Sequence, residues 1–271
     1  YAEMRIMMKK ISDRKRIVIK VGTSTLTHRT GMLNIRRVEQ LVKTLADIQN
    51  SGHEVILVSS GAIGLGMGKL GLRERPKDTP GKQACAAVGQ CELMYLYDNL
   101  FAEYSISVAQ MLLTKYVLLE DRRKNVENAM ERLISHRVIP VINENDTVAI
   151  DELELEVGEN DSLAAIVADI AKADLLIIMS DIDGLYDKDP HTYEDAKLIP
   201  VVHEITDEIK ALAGGAGTKL GTGGMITKLN AVEIAYKSDI DVVLMNGQHP
   251  KTLYDLFDGK SVGTIFSKNE D

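Results

Sequence analysis

Short apolar runs of strand length recur along this chain, and the stretches between them repeat their apolar residues at helical spacing. The first run is IVIKV over 17–21. It is followed by Ile35, Val38, Leu41, Val42, Leu45 and Ile48, a helical stripe that Asn34 can cap and Gly52 can end. Further strands are expected over 55–58, 108–113, 138–142 and 175–179, and further helices over 83–104, 121–135 and 162–172. Continuous apolar strands alternating with helices predict a mainly parallel sheet, right-handed crossovers and helices on both faces. Such sheets bind ligands beyond the carboxyl ends of their strands, where the unusual residues of this chain fall.

Residues 151–157 read differently. Glu152, Glu154 and Glu156 alternate with Leu153, Leu155 and Val157, the period-two pattern of a half-exposed hairpin arm with a solvated acidic face. Residues 1–13 read as an N-terminal extension and 14–271 as a single domain. A boundary near 175 divides that domain into an acceptor half, 14–174, and a nucleotide half, 175–271. The glycine-rich run over 214–224 is the most mobile candidate. Residues 1–6 read as a remnant of cloning.

The 271 residues suffice for one large core or two modest ones. Hydrophobic residues make up 45% and charged residues 27%, which argues against disorder and coiled coil. A net charge of −8 is a poor match for a broad nucleic-acid footprint. No apolar run approaches the roughly 18 residues of a membrane helix. The two cysteines, Cys85 and Cys91, lie in an apolar helical stretch and are expected to be buried free thiols of a reducing, cytoplasmic protein. The six histidines show no HxxxH or HxH spacing, so no protein metal ligands are assigned.

Two motif matches are false. Gly66, Gly68 and Gly71 satisfy GxGxxG, but the preceding strand ends near Ser59, so Gly66 falls inside a helix rather than in a dinucleotide turn. Gly259-Lys260-Ser261 ends like a P-loop, but Tyr254 stands where the upstream glycine is required.

Five clusters carry more weight, each with a structural alternative. Lys20-Val21-Gly22-Thr23-Ser24 ends the first strand with a glycine that lets a phosphate approach and a lysine to meet its charge. Ser59-Ser60-Gly61-Ala62 ends the second strand at a helix start, where free N–H groups attract anions. Tight strand–helix turns use the same residues for structure alone. Asn143-Glu144-Asn145-Asp146 can read an ammonium or amide group, or form an ordinary Asx-rich turn. Gly158-Glu159-Asn160-Asp161-Ser162 offers a carboxylate to orient lysines or hold a metal, or a helix cap at Asn160 or Asp161. The glycines of GTGGMITK, 221–228, can wrap phosphates while Lys228 arrives from a helix start, or form a flexible loop.

Together the segments IVIKVGTSTL, VILVSSGAIG, KQACAAVGQ, PVINENDTV, VGENDSLAA, SDIDGLYDKDP and GTGGMITK give a resemblance, in one order from 14 to 266, to the amino acid kinase family. NEND and GTGGMITK look most like the branch that phosphorylates the side-chain carboxylate of L-glutamate. Siblings acting on acetylglutamate, aspartate, uridylate or carbamate share the lysines, and a non-catalytic amino-acid sensor on the same fold is the alternative from another class. Glu159 departs from the family's usual aspartate, a change tolerable at a position that does not chelate. The PUA domain of many relatives is expected to be absent.

The resemblance implies a three-layer αβα sandwich and transfer of the ATP γ-phosphoryl to glutamate, yielding glutamyl 5-phosphate for proline synthesis. It implies Lys20 and Lys228 on opposite sides of the transferring group, oriented by Asp161. It implies Ser60, Asp146 and Asn160 as the glutamate site. Lys20, Ser180, Asp181, Thr222, Gly223, Gly224, Met225, Ile226, Thr227 and Lys228 would bind ATP, with Mg²⁺ bridging its phosphates. A homodimer or tetramer and feedback inhibition by proline are expected on the same ground.

Overall fold

The structure, a computed structural model, describes residues 2–28, 32–148, 160–190, 192–213 and 222–268. Its strands are β1 (Arg16–Val21), β2 (Glu54–Ser59), β3 (Val108–Leu113), β4 (Ile139–Glu144), β5 (Leu175–Ser180), β6 (Val201–Val202), β7 (Asp241–Asn246) and β8 (Thr264–Phe266). Its helices are α1 (Ala2–Ser12), α2 (Thr23–Leu26), α3 (Ile35–Asn50), α4 (Ala62–Leu70), α5 (Thr79–Ala102), α6 (Glu120–Ser135), α7 (Asp161–Ile170), α8 (Asp207–Ala213), α9 (Thr222–Tyr236) and α10 (Thr252–Phe257). The α/β class expected from the alternation holds: strands that are mostly parallel, flanked by helices.

Packing divides the chain into two compact units, Val21–Glu156 and Tyr1–Lys20 with Val157–Asp271. The division follows contacts and falls near 157, not at the functional boundary expected near 175. Helix α7 packs on β5 and α9, so it goes with the C-terminal segment. In the unit Val21–Glu156 the strand order is β3-β4-β2, all parallel. In the other unit the order is β1-β5-β7-β8-β6, where β5–β7 and β6–β8 pair in parallel and β7–β8 antiparallel. All six residues of β5 are buried, as a strand covered on both faces requires.

The helix boundaries have local causes. The Asn34 side chain accepts from the Arg37 N–H and starts α3, and the left-handed Gly52 lies just beyond its end. Helix α5 begins four residues before the expected 83, because Asp78 caps it by accepting from the Gly81 N–H and Pro80 fits its first turn.

Three expectations are corrected. The N-terminal segment expected as an extension is packed: α1 buries Met8 and Ile11 and contacts α10. Cys91 is exposed, because it lies on the outer side of α5, while Cys85 is buried; both thiols are free. The segment 222–228 is not a loop but the first two turns of α9. The expected hairpin arm over 151–157, Glu159 and residues 214–221 lie outside the described residues.

Gly66 lies inside α4, as the strand-end argument required. Its function there is a close helix crossing. A Cβ on Gly66 would stand 1.8 Å from the Cys85 carbonyl oxygen, and one on Gly89 would stand 1.7 Å from the Ala62 oxygen. Backbone meets backbone at both points, so neither clash is relieved by a rotamer change. Gly89→Ala is expected to destabilise the protein by about 3 kcal/mol. Urea denaturation checks this; a midpoint equal to wild type would mean the helices can separate without cost.

Candidate active site

Three buried charges meet in the unit formed by Tyr1–Lys20 and Val157–Asp271. Lys20, next to the last residue of β1, is 3% exposed; Lys228, on α9, is 6% exposed; Asp161, in the first turn of α7, is 0% exposed. Lys20 Nζ stands 2.6 Å from Asp161 Oδ1 and Lys228 Nζ stands 3.1 Å from Oδ2. Lys228 also donates to the Gly224 oxygen at 3.0 Å, which fixes its side chain along the helix. Thr227 Oγ1 donates to the same oxygen at 2.9 Å and lies 3.4 Å from Asp161 Oδ2.

Burial works against a charged Asp161, but the two lysines outweigh it and hold its carboxyl below the usual carboxylate range. Two ammonium groups against one carboxylate leave a net positive charge in a dry place. Such a group attracts an anion whose charge is being redistributed.

Asp161 therefore does not act as the helix cap weighed from the sequence. Asn160 occupies the cap position of α7, and its side chain makes no capping hydrogen bond. Lys228 sits in the second turn of its helix rather than at its start. Glycines disfavour a helix locally, but packing of α9 on α7 overrides that preference. The first-turn N–H groups of α9, from Thr222 to Met225, have no intrahelical acceptor and form the positive end of its dipole.

At the end of β5, Ser180 Oγ donates to Asp181 Oδ1 at 3.0 Å. The parallel register sets Ser180 beside Asn246 of β7. Asn246 Nδ2 donates to Asp183 Oδ1 at 2.7 Å, and the Tyr186 hydroxyl donates to Asp183 Oδ2 at 3.1 Å. Burial, then the Asp183 charge, raises the Tyr186 hydroxyl. Sequence reasoning singled out SDIDGLYDKDP but not Asn246, whose signal was its place at a strand end.

The unit Val21–Glu156 holds the other predicted residues. Ser60 follows β2, and its N–H donates to the Val21 oxygen at 3.1 Å, tying two strand ends together. Gly61 adopts a left-handed φ of 100°, which a side chain would strain, and so turns the chain sharply into α4. Beside it, β4 runs into the NEND turn, where the Asn145 N–H donates to the Leu113 oxygen at 2.8 Å. Burial raises the Asp146 carboxyl, while the positive charge of Arg75 pulls it down. Burial, then the Asp146 charge, raises the Glu144 carboxyl. Gln90 of α5 was not singled out from the sequence. It is buried, and its Oε1 accepts from Asn143 Nδ2 at 2.9 Å.

The sequence model of the amino acid kinase family matches residues 15–246. The glutamate 5-kinase of Clostridium perfringens (strain 13 / Type A) is 52% identical over 263 residues, covering 96% of this chain and 98% of that protein. The glutamate 5-kinase of Listeria innocua serovar 6a is 48% identical over 268 residues, covering 98% and 97%. That of Caldanaerobacter subterraneus subsp. tengcongensis is 52% identical over 252 residues, covering 93% of this chain and 67% of that protein. Among solved structures, carbamate kinase from Giardia lamblia bound to AMP-PNP is similar at a TM-score of 0.69 and 17% identity, covering 95% of this chain and 100% of that chain. UMP kinase from Bacillus anthracis is similar at a TM-score of 0.63 and 15% identity, covering 94% and 97%. These structures share the fold; the relatives share about half of their aligned residues with this chain, over 93% or more of its length. The chain belongs to the amino acid kinase family.

Proposed function

We propose that the chain transfers the γ-phosphoryl group of ATP to the side-chain carboxylate of L-glutamate, forming L-glutamyl 5-phosphate and ADP, the first step of proline biosynthesis. The observation that carries this is the 52% identity to a glutamate 5-kinase across 98% of that protein. The Lys20–Asp161–Lys228 group supports it, because its chemistry suits the reaction.

A carboxylate oxygen is already a nucleophile, so no base is required. It attacks the γ-phosphorus, and the bond to the β–γ bridging oxygen breaks with its electron pair leaving on ADP. The difficulty is the approach of two anions, which positioning and positive charge relieve. We assign Lys20 and Lys228 to the transferring phosphoryl group and Asp161 to holding both ammonium groups in place. Ser180 and Asp181, with the segment from Thr222 through Gly223, Gly224, Met225, Ile226 and Thr227 to Lys228, would hold ATP, its phosphates taking the free N–H groups at the start of α9. Ser60, Asp146 and Asn160 would bind glutamate.

Both oxygens of Asp161 face ammonium groups, and no three His, Cys, Asp or Glu side chains cluster among the described residues. A Mg²⁺ would enter on the ATP phosphates and would supply charge neutralisation there, leaving the Asp161 oxygens to the two lysines. No described helix is long and apolar enough to cross a membrane. A cytoplasmic homo-oligomer inhibited by proline completes the reading.

The test is ADP release from MgATP with glutamate, N-acetylglutamate, aspartate or UMP as acceptor. Glutamate should be used best by a wide margin. Faster turnover of any other acceptor would reassign the substrate.

A further inference from the structure

Gln90 carries an amide group whose orientation is fixed from the backbone outward. The Glu144 N–H donates to Asn143 Oδ1 at 2.9 Å. A backbone N–H can only donate, so this bond sets the Asn143 amide, and its Nδ2 is the atom that donates to Gln90 Oε1 at 2.9 Å. The remaining atom, Gln90 Nε2, is thereby turned away from Asn143. It is buried and has no hydrogen-bond partner among the described residues, on a residue only 7% exposed. A buried amide donor without a partner is costly and calls for an acceptor.

The place narrows what that acceptor is. Neighbouring Gly89 lies against the Ala62 backbone, so Gln90 stands where α5 meets the turn after β2. Asn143 ties it to the end of β4, and the register Leu57↔Val141, Val58↔Ile142, continued one step, sets Ser59 level with Asn143. The unpaired donor thus lies among the Ser60 turn, the NEND turn and α5, the residues that the preceding section assigns to glutamate. Asp146 supplies an anion for the substrate's ammonium. An amino acid also brings an α-carboxylate, which a neutral amide donor can receive and the acids of this turn cannot.

We propose, resting on that assignment, that Gln90 is a specificity-determining residue whose Nε2 donates to the α-carboxylate of the amino-acid acceptor. Gln90→Glu is the discriminating variant. It keeps the Oε1 acceptor for Asn143 and nearly the same shape, and replaces only the free donor with an anion that repels a carboxylate. The KM for glutamate should rise tenfold or more, about 1.4 kcal/mol per tenfold, while the KM for ATP stays within about twofold. Gln90→Met, uncharged and of similar length, should also raise the glutamate KM selectively, and serves if the first variant does not fold. A glutamate KM within about twofold of wild type in either folded variant would overturn the proposal, as would equal rises in both KM values, the mark of a merely structural role. Wild type is assayed in parallel. Wild-type protein inert toward glutamate would sink the functional reading together with this inference, whereas normal wild-type turnover with an unaltered variant KM would sink this inference alone.

Discussion

Lys228→Ala should lower kcat by roughly a hundredfold or more while leaving the KM for glutamate within about threefold. The ammonium lost is one of two that give the buried group its net positive charge. Lys20 and Lys228 contribute two positive charges, and Asp161 cancels one. Without Lys228 the group is neutral, and under the proposed assignment its net positive charge for the transferring phosphoryl group is lost. The loss of about 3 kcal/mol expected for one such contact is felt in the transition state, so it appears in kcat. Lys20→Ala should act alike. Both lysines are held by one carboxylate, so the double variant should lose much less than the product of the two single effects. Steady-state kinetics of the three proteins decide this. A Lys228→Ala enzyme altered only in glutamate KM would remove that lysine from the phosphoryl site, and strictly multiplicative losses would separate the two lysines.

That such a group exists was half legible from the residues. Lys20 falls near the end of a short buried apolar run, which points to the carboxyl edge of a strand, and β1 places it next to last. Asp161 stands at a helix start in any reading, and only the structure decides between capping its own backbone and meeting two lysines from other elements. Lys228 is the harder case. A run of glycines reads as a loop because each costs about 1 kcal/mol in a helix, yet α9 begins at Thr222 because its packing on α7 outweighs that cost. Packing also hid α1. Met8 and Ile11, three residues apart, are buried there among basic neighbours, and nothing in the sequence says what they pack on. Gln90 was illegible for a different reason. It sits in KQACAAVGQ beside the crossing glycine Gly89, and its value lies in an unpaired atom that no spacing encodes. Strands β1 to β5 were read from their apolar runs, whereas β7, equally apolar and buried, was not singled out, nor were the short β6 and β8; crossings and amide orientations depend on partners distant in sequence.

Glutamate should be preferred over N-acetylglutamate by at least about a hundredfold in kcat/KM. Free glutamate carries an α-ammonium group, and its acetylated form carries a neutral amide there. Asp146 stands in the turn after β4, in surroundings that burial makes unfavourable for its charge and that Arg75 only partly offsets. A carboxyl raised in this way gains from an incoming cation, which favours its ionised form. Acetylation removes that cation and leaves the carboxylate desolvated, a loss on the order of 2–5 kcal/mol for one side of a buried charge pair, with about 1.4 kcal/mol per tenfold. The acetyl group also needs room. The same sign sets the pH dependence: as pH falls through the raised Asp146 value, the carboxyl takes a proton, its attraction for ammonium ends and the glutamate KM climbs. Asp146→Asn should erode the preference mainly by harming glutamate, and should flatten that climb. The measurement is kcat/KM for both acceptors in both proteins, repeated across pH. Equal or better use of N-acetylglutamate by the unaltered enzyme would overturn the acceptor assignment. It would leave the proposed phosphoryl transfer in place, because Lys20, Asp161 and Lys228 are not assigned to reading the α-substituent.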